Sequence, residues 1–472
     1  MRTRLLVAAG LLLSIGSSLS AGDEKGENSL AGTWQGVIAI GGKEIPVVFE
    51  ISSDGRNGWK GHLLSPSQTD QKIPLSLIDY HDRDLNLAAE IIGGSFRGKM
   101  TSSGRSIRGD WTQGGFTVPL DLDFSEEAFA YDRPQTPKPP FPYVTEEVSF
   151  PNPLGKNELA GTLSFPEKPI SPLPAVVLIT GSGPQDRDET IAGHKPFAVI
   201  ADYLTRRGIA VLRYDDRGVG KSTGTFEYGT TMDFATDAWA AVEYLKTRSE
   251  IDPEKIGLLG HSEGGLIAPI VAAKREGIAF LVLLAGPGLR GDQTLLTQSK
   301  AIGEAAGLKP EMLQLSQQFS KAVYELLTQP NPDLSRVQEL GEKFEEEARK
   351  LNSEDLEALN QLGPMLEQQM KMIESPWFSN FLAIDPAEYL RQVTCPVLAL
   401  NGKKDLQVIA DLQLPAIEAA LPSGKRTVRA LPDLNHLFQK AETGLPGEYA
   451  AIDETISPTV LKIIGDWIES LW

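Results

Sequence analysis

Between residues 29 and 124, apolar and polar positions alternate in short runs broken by glycine pairs. The runs 33–40, 45–51, 85–92 and 96–101 carry the period-two pattern of half-buried strands, and Gly41-Gly42 and Gly93-Gly94 supply turn residues beside them. About eight such strands fit before Phe124, enough for a small all-β barrel or sandwich. After Tyr143 the texture changes. Two polar-alternating strands lead into near-continuous apolar runs at 175–179, 209–212, 256–259, 280–284 and 397–400 and a further strand at 427–431, with amphipathic helices predicted at 197–207 and 233–246. Apolar strands alternating with helices predict an α/β fold, a mostly parallel sheet with helices on both faces.

The two textures meet in a proline-rich run, Pro134, Pro137, Pro139, Pro140 and Pro142, which reads as a stiff linker over 126–142. The division expected is a β module at 29–125, the linker, and an α/β domain at 143–472. Within that domain, 290–390 separate two core strands by far more than a usual connection. Helical runs at 311–327, 332–351 and 353–373 predict a lid, with Leu340, Phe344, Met365 and Met372 packing among themselves. Trp377, Phe378 and Phe381 follow Pro376 and are the candidates for substrate contact in the lid.

Composition narrows the function. A net charge of −18 over 472 residues argues against nucleic acid, leaving small molecules as ligands. Residues 1–21 combine a basic start, an apolar core over 5–13 and small residues near Ala21, the pattern of a signal peptide for export to the periplasm or beyond. No later apolar stretch approaches the roughly 20 residues that would predict a membrane span. Cys395 stands alone and reads as a buried thiol. The five histidines are scattered and no H-E-x-x-H occurs, so neither metal nor cofactor is expected.

The chemistry concentrates at 256–265, where an apolar strand ends in Gly260-His261-Ser262-Glu263-Gly264-Gly265 and a helix begins. A serine between glycines at a strand-to-helix turn is a nucleophile elbow, with the hydroxyl thrust above the sheet. Pro269 should bend the helix that follows. Gly220-Lys221-Ser222-Thr223-Gly224 repeats the spacing without the flanking strand and helix, so Ser222 reads as a loop serine, and Asp215 occupies the first glycine position of a P-loop.

Ser262 needs an imidazole to accept its proton. His62 and His81 fall in the β module, His194 comes too early, and His261 abuts the serine on a strand where neighbouring side chains point apart. His436 remains, just beyond the last strand. Its acid should sit after the preceding strand, which favours Asp405 over Asp411 and Asp433. The N–H of Glu263 is one expected oxyanion donor; the other should come from the loop 180–188, where Ser182 is favoured with Gly181 as its neighbour.

With Gly-His-Ser-Glu-Gly-Gly at 260–265, Thr-Gly-Ser-Gly-Pro-Gln-Asp-Arg-Asp at 180–188 and Asp-Asp-Arg-Gly-Val-Gly-Lys-Ser at 215–222, the chain from about 143 to 472 resembles the α/β-hydrolase superfamily. It is similar within it to secreted bacterial serine esterases related to dienelactone hydrolases and to lidded serine aminopeptidases. The resemblance implies hydrolysis of a small-molecule carboxylic ester through an acyl-enzyme by Ser262, Asp405 and His436. An aminopeptidase or other amide hydrolase is the enzyme alternative, and a non-catalytic surface binding protein the alternative of another class. Thr180 stands where many members have histidine, which bears on side-chain support of the oxyanion loop.

Overall fold

The computed structural model of the chain describes residues 30–472, apart from 41–42, 56–57, 66–68, 127–132, 170–171, 352–372 and 374. The expected signal peptide at 1–21 lies outside the described residues, as does the helix expected over 353–373 except for Ile373.

In the N-terminal part, β1 Gly32–Ile40, β2 Lys43–Ser53, β3 Trp59–Ser65, β4 Thr69–Pro74, β5 Leu77–His81, β6 Asp84–Ala89, β7 Gly94–Met100, β8 Ser106–Gln113 and β9 Phe116–Ser125 form one antiparallel sheet. Its order is β4-β3-β2-β1-β9-β8-β7-β6-β5, with Thr33 of β1 opposite Ser125 of β9. First and last strands therefore pair, while β4 and β5 remain the two edges. Among the described residues this is a half-barrel, not the closed barrel or two-sheet sandwich that strand counting allows. Its inward positions bury Trp34, Phe49, Phe96 and Leu120. The Trp34 indole donates to the Leu30 carbonyl at 2.9 Å, satisfying the one polar atom that ring takes inside. The strand expected over 85–92 ends early, at Ala89, because Glu90–Ile92 turn as a 3-10 helix that Gly93 closes at φ 60°.

The linker is not a free spacer. Arg133 donates to the carbonyls of Ala192, Ala450 and Ile452, and Gln135 to that of Ile456, so the chain is fastened to the second part before it enters it.

There, β10 Val144–Asn152, β11 Asn157–Phe165, β12 Leu173–Ile179, β13 Ala210–Tyr214, β14 Ile251–His261, β15 Leu281–Leu284, β16 Val397–Gly402 and β17 Arg426–Leu431 form a sheet ordered β10-β11-β13-β12-β14-β15-β16-β17. β11 runs antiparallel to both its neighbours, and the strands from β13 to β17 are parallel. Alternation along β12 shows why the run is wholly apolar. Ala175, Val177 and Ile179 enter one core, with Ala238 and Val242 of α2 Thr231–Lys246 and Leu266 and Ile270 of α3 Gly264–Lys274. Val176 and Leu178 enter another, with Phe197 and Leu204 of α1 Pro196–Thr205 and residues 460–468 near the C-terminus. Pro269 sits inside α3, which continues to Lys274.

Between β15 and β16 lie α4 Gly291–Ala305, α5 Pro310–Leu327, α6 Ser335–Ala348, α7 Pro376–Ala383 and α8 Pro386–Leu390. α6 begins three residues later than the periodicity at 332–351 suggests, because Asp333 accepts from both the N–H and the hydroxyl of Ser335 and holds a turn there. Phe319 and Phe344 meet at 5.1 Å, so the apolar stripes of α5 and α6 do pack on each other. No helix among the described residues is long and apolar enough to cross a membrane.

Candidate active site

The carboxyl ends of β12, β14, β16 and β17 supply the site. Ser262 leaves β14 at φ 53°, a left-handed conformation that costs a side chain about 1–2 kcal/mol and that packing must hold in place. The turn is possible because its neighbours lack Cβ atoms: one on Gly260 would collide with the Gly264 carbonyl, and one on Gly264 with that of Ile179. On the other side, a Cβ on Gly181 would lie 3.1 Å from that of Ser262, which shows how closely the loop after β12 approaches the serine.

Beyond β16, Asp405 turns into the protein, buried at 2 % exposure. One carboxylate oxygen accepts from the amides of Gln407 and Val408 at 2.7 and 2.9 Å; the other is 2.8 Å from Nδ1 of His436. A carboxylate only accepts, so Nδ1 is the donor of this pair, which is the orientation that leaves Nε2 of a neutral ring available as a general base. His436 is itself buried, on a loop whose Asp433 and Phe438 both have positive φ and whose Asn435 side chain accepts from the amides of Leu437 and Gln439. Asp411 lies in the first turn of the next helix, α9 Ala410–Ala420, and Asp433 stays on the loop backbone; neither is bonded to His436. Ser222 is a loop serine: its hydroxyl donates to the Asp215 carbonyl and accepts from the Ala160 amide.

The expected oxyanion residues separate. Glu263 opens α3, where a first-turn amide has no partner within the helix. Gly181 does not serve as expected, because its N–H donates to Oε1 of Glu189 at 2.7 Å and is committed inside the protein. Side-chain support comes from Thr180, whose hydroxyl donates to Asp216 at 2.8 Å, while the other oxygen of Asp216 accepts from the Gln185 amide. Burial raises Asp216 well above its ordinary value, opposed by those two bonds.

Sequence reasoning misses three participants. The side chain of Glu263 is buried, and its Oε1 accepts from the hydroxyl of Thr231 and, at 2.8 Å, from the indole of Trp377 in α7. Burial raises its pKa against the pull of these bonds. His261, set aside as a base, nonetheless lies with its ring 4.7 Å from that of His436. Its partner is Glu189, 2.9 Å from Nδ1. Only the Thr–Gly–Ser–Gly run ahead of Glu189 hints at its neighbourhood. Of the other aromatic candidates, Phe381 stacks on Trp377 at 5.3 Å, and Phe378 is buried against Tyr324 of α5. Among the described residues no group of three His, Cys, Asp or Glu could hold a metal ion.

A doubly wound sheet with a serine at a strained strand-to-helix turn and a buried Asp–His pair at its strand ends places the protein among the α/β hydrolases. The chain belongs to the family described as serine aminopeptidase, S33, whose model matches residues 194–440. It is similar to esterase EstD of Thermotoga maritima, 29% identical over 312 residues that cover 65% of each chain. To the putative hydrolase YtaP of Bacillus subtilis it is 28% identical over 188 residues, 36% of this chain and 62% of the relative. The matches thus span less than two thirds of either relative. Among solved structures, the Pyrococcus furiosus esterase PF2001 aligns at 16% identity and TM-score 0.41, over 70% of this chain and 91% of its own. Proline iminopeptidase of Mycobacterium smegmatis aligns at 16% and TM-score 0.42, over 69% and 98%.

Proposed function

We propose that the protein is an exported serine carboxylesterase acting through an acyl-enzyme, and the observation that carries this reading is the buried Asp405–His436 pair, taken with the strained turn that presents Ser262. Nε2 of His436 takes the proton of Ser262 as Oγ adds to the ester carbonyl. The resulting oxyanion is met by the N–H groups of Glu263 and Ser182, each donor worth about 2.7–4 kcal/mol. Collapse breaks the bond to the alcohol, which leaves with the proton from His436. Water then gives its proton to His436 and adds to the acyl group, and Ser262 is restored as the acid departs.

The insertion carrying α4–α8 acts as a lid in this reading, supported by the hydrogen bond that fastens Trp377 to the residue after the nucleophile. Trp377, with Phe381 stacked on it and Phe378 behind, would form the apolar wall against the substrate. An aminopeptidase needs a carboxylate free to hold an ammonium. Glu189, Glu263 and Asp405 are buried, with Oε1 of each glutamate and both oxygens of the aspartate engaged inside the protein, which favours esters over aminoacyl amides.

The test is turnover of aryl esters of graded acyl length beside aminoacyl arylamides. Ester hydrolysis should dominate, and Ser262→Ala should lower kcat by about 10⁶-fold with cooperative unfolding retained. Faster turnover of the amides would replace the ester reading with the peptidase one.

A further inference from the structure

The proposed mechanism leaves one buried ion pair unused. His261 and Glu189 have side chains only 6% and 2% exposed. Both neighbours of the His261 ring are acceptors. Nδ1 is 2.9 Å from Oε1 of Glu189, and Nε2 is 3.0 Å from the main-chain carbonyl of His436. The same Oε1 also takes the N–H of Gly181 at 2.7 Å. A carbonyl cannot donate, so Nε2 must carry a hydrogen; with Glu189 ionised, Nδ1 must carry one too. Glu189 holds its place at φ 52°, an unusual conformation for a buried non-glycine residue.

We propose that His261 is a buried imidazolium held by Glu189, and that the pair is the positioning unit of the proposed active site. One carboxylate oxygen thereby joins the oxyanion loop through Gly181 to the residue before the nucleophile, and the far side of that ring holds the backbone of the catalytic base. Three segments distant in sequence, around 181, 261 and 436, are locked by three hydrogen bonds whose central member is charged. Charge-assisted bonds are shorter and roughly twice as strong as neutral ones, which suits a clasp that must keep a base and an oxyanion loop in register. The ionisable groups facing His261 are Glu189, His436 and Asp405. Burial disfavours the imidazolium, but the Glu189 charge and hydrogen bond outweigh it, and the pKa of His261 is raised.

This inference rests on the hydrolase reading only for its kinetic consequence, so the test has two arms. Wild-type protein labelled with ¹⁵N-histidine is examined at pH 8 by long-range proton–nitrogen correlation, with the five histidines assigned by single replacement. An unperturbed imidazole, with a pKa of about 6.5, is neutral there. His261 should show both ring nitrogens protonated; a ring with one bare nitrogen overturns the proposal. In the second arm, Glu189→Gln and His261→Gln, checked for cooperative unfolding, are assayed with an aryl ester. Loss of register should lower kcat on the order of 10²-fold with KM little changed, and slow phosphonylation of Ser262 by a fluorophosphonate in parallel. A folded variant with wild-type kcat overturns the positioning role. If wild-type protein neither turns over esters nor reacts at Ser262, the serine-hydrolase reading fails, and the nitrogen spectrum alone decides whether the clasp exists.

Discussion

Glu263 stands one residue from Ser262, buried, and its carboxyl group is answered by the hydroxyl of Thr231 and the Trp377 indole. Burial raises its pKa above the ordinary 4.5 despite these bonds. From 4.5 up to the raised value the folded chain binds more protons than the unfolded one, so this group makes stability fall as pH rises through that window. Glu263→Gln removes the titration, and urea unfolding from pH 4 to 8 should show its stability relative to wild type improving with pH; parallel profiles would contradict this. At Asp405 the expected effect is kinetic. Asp405→Asn keeps a partner for Nδ1 but permits the wrong tautomer of His436, and ester kcat should fall about 10⁴-fold. The strained turn at Ser262 and the pairing of Asp405 with His436 are legible in the chain because turn chemistry and strand order are local and sequential signals. Glu189 and Thr231 are not, since their partners His261 and Glu263 lie 72 and 32 residues away and no periodicity links them. The Gly181 amide shows the same limit: the glycine is visible in the sequence, but the direction of its N–H is not.

At the scale of elements, the elbow is where backbone meets backbone. A Cβ on Gly264 would strike the Ile179 carbonyl, a main-chain atom of β12 that cannot rotate away. Gly264→Ala should therefore cost at least the 1–3 kcal/mol typical of overpacking, and Gly447→Ala, with open space around it, should change stability by no more than about 0.5 kcal/mol. Urea unfolding of the two variants checks the contrast, and equal stabilities would refute the tight-turn explanation. Most strands and helices can be read directly, because a strand such as β12 buries both faces and its residues are apolar throughout. Ends are less legible. β6 stops at Ala89 although apolar residues run on to Ile92, because a 3-10 turn uses them, and α6 waits for the Asp333–Ser335 bonds.

Over the whole molecule, the segment around 449–456 fastens the linker to the α/β part. His194, fully buried, lies 2.9 Å through Nε2 from the Tyr449 carbonyl and 2.9 Å through Nδ1 from the Thr455 hydroxyl, a pattern that suits the neutral ring. Burial lowers its pKa to about 4 from 6.5. Between those values the unfolded chain binds the extra proton, so stability present at pH 7 is lost as pH falls through the window, by about 3 kcal/mol in all. His194→Gln should unfold with a flatter dependence between pH 6.5 and 4; an unchanged slope would assign the acid sensitivity elsewhere. This junction is hidden in the sequence. Proline spacing reveals a stiff run, yet Arg133 and Gln135 dock on residues more than 300 positions away. Likewise, pairing of β1 with β9 and the open seam between β4 and β5 are outcomes of long-range closure that strand counting cannot supply.

The decisive measurement is rapid quenching of the wild-type protein during turnover of an aryl ester, followed by mass spectrometry of its peptides. The peptide containing Ser262 should carry the substrate's acyl mass, formed with a burst of about one phenolate per chain and absent from Ser262→Ala. An acyl group on another residue, or undiminished ester turnover by Ser262→Ala, would contradict the mechanism.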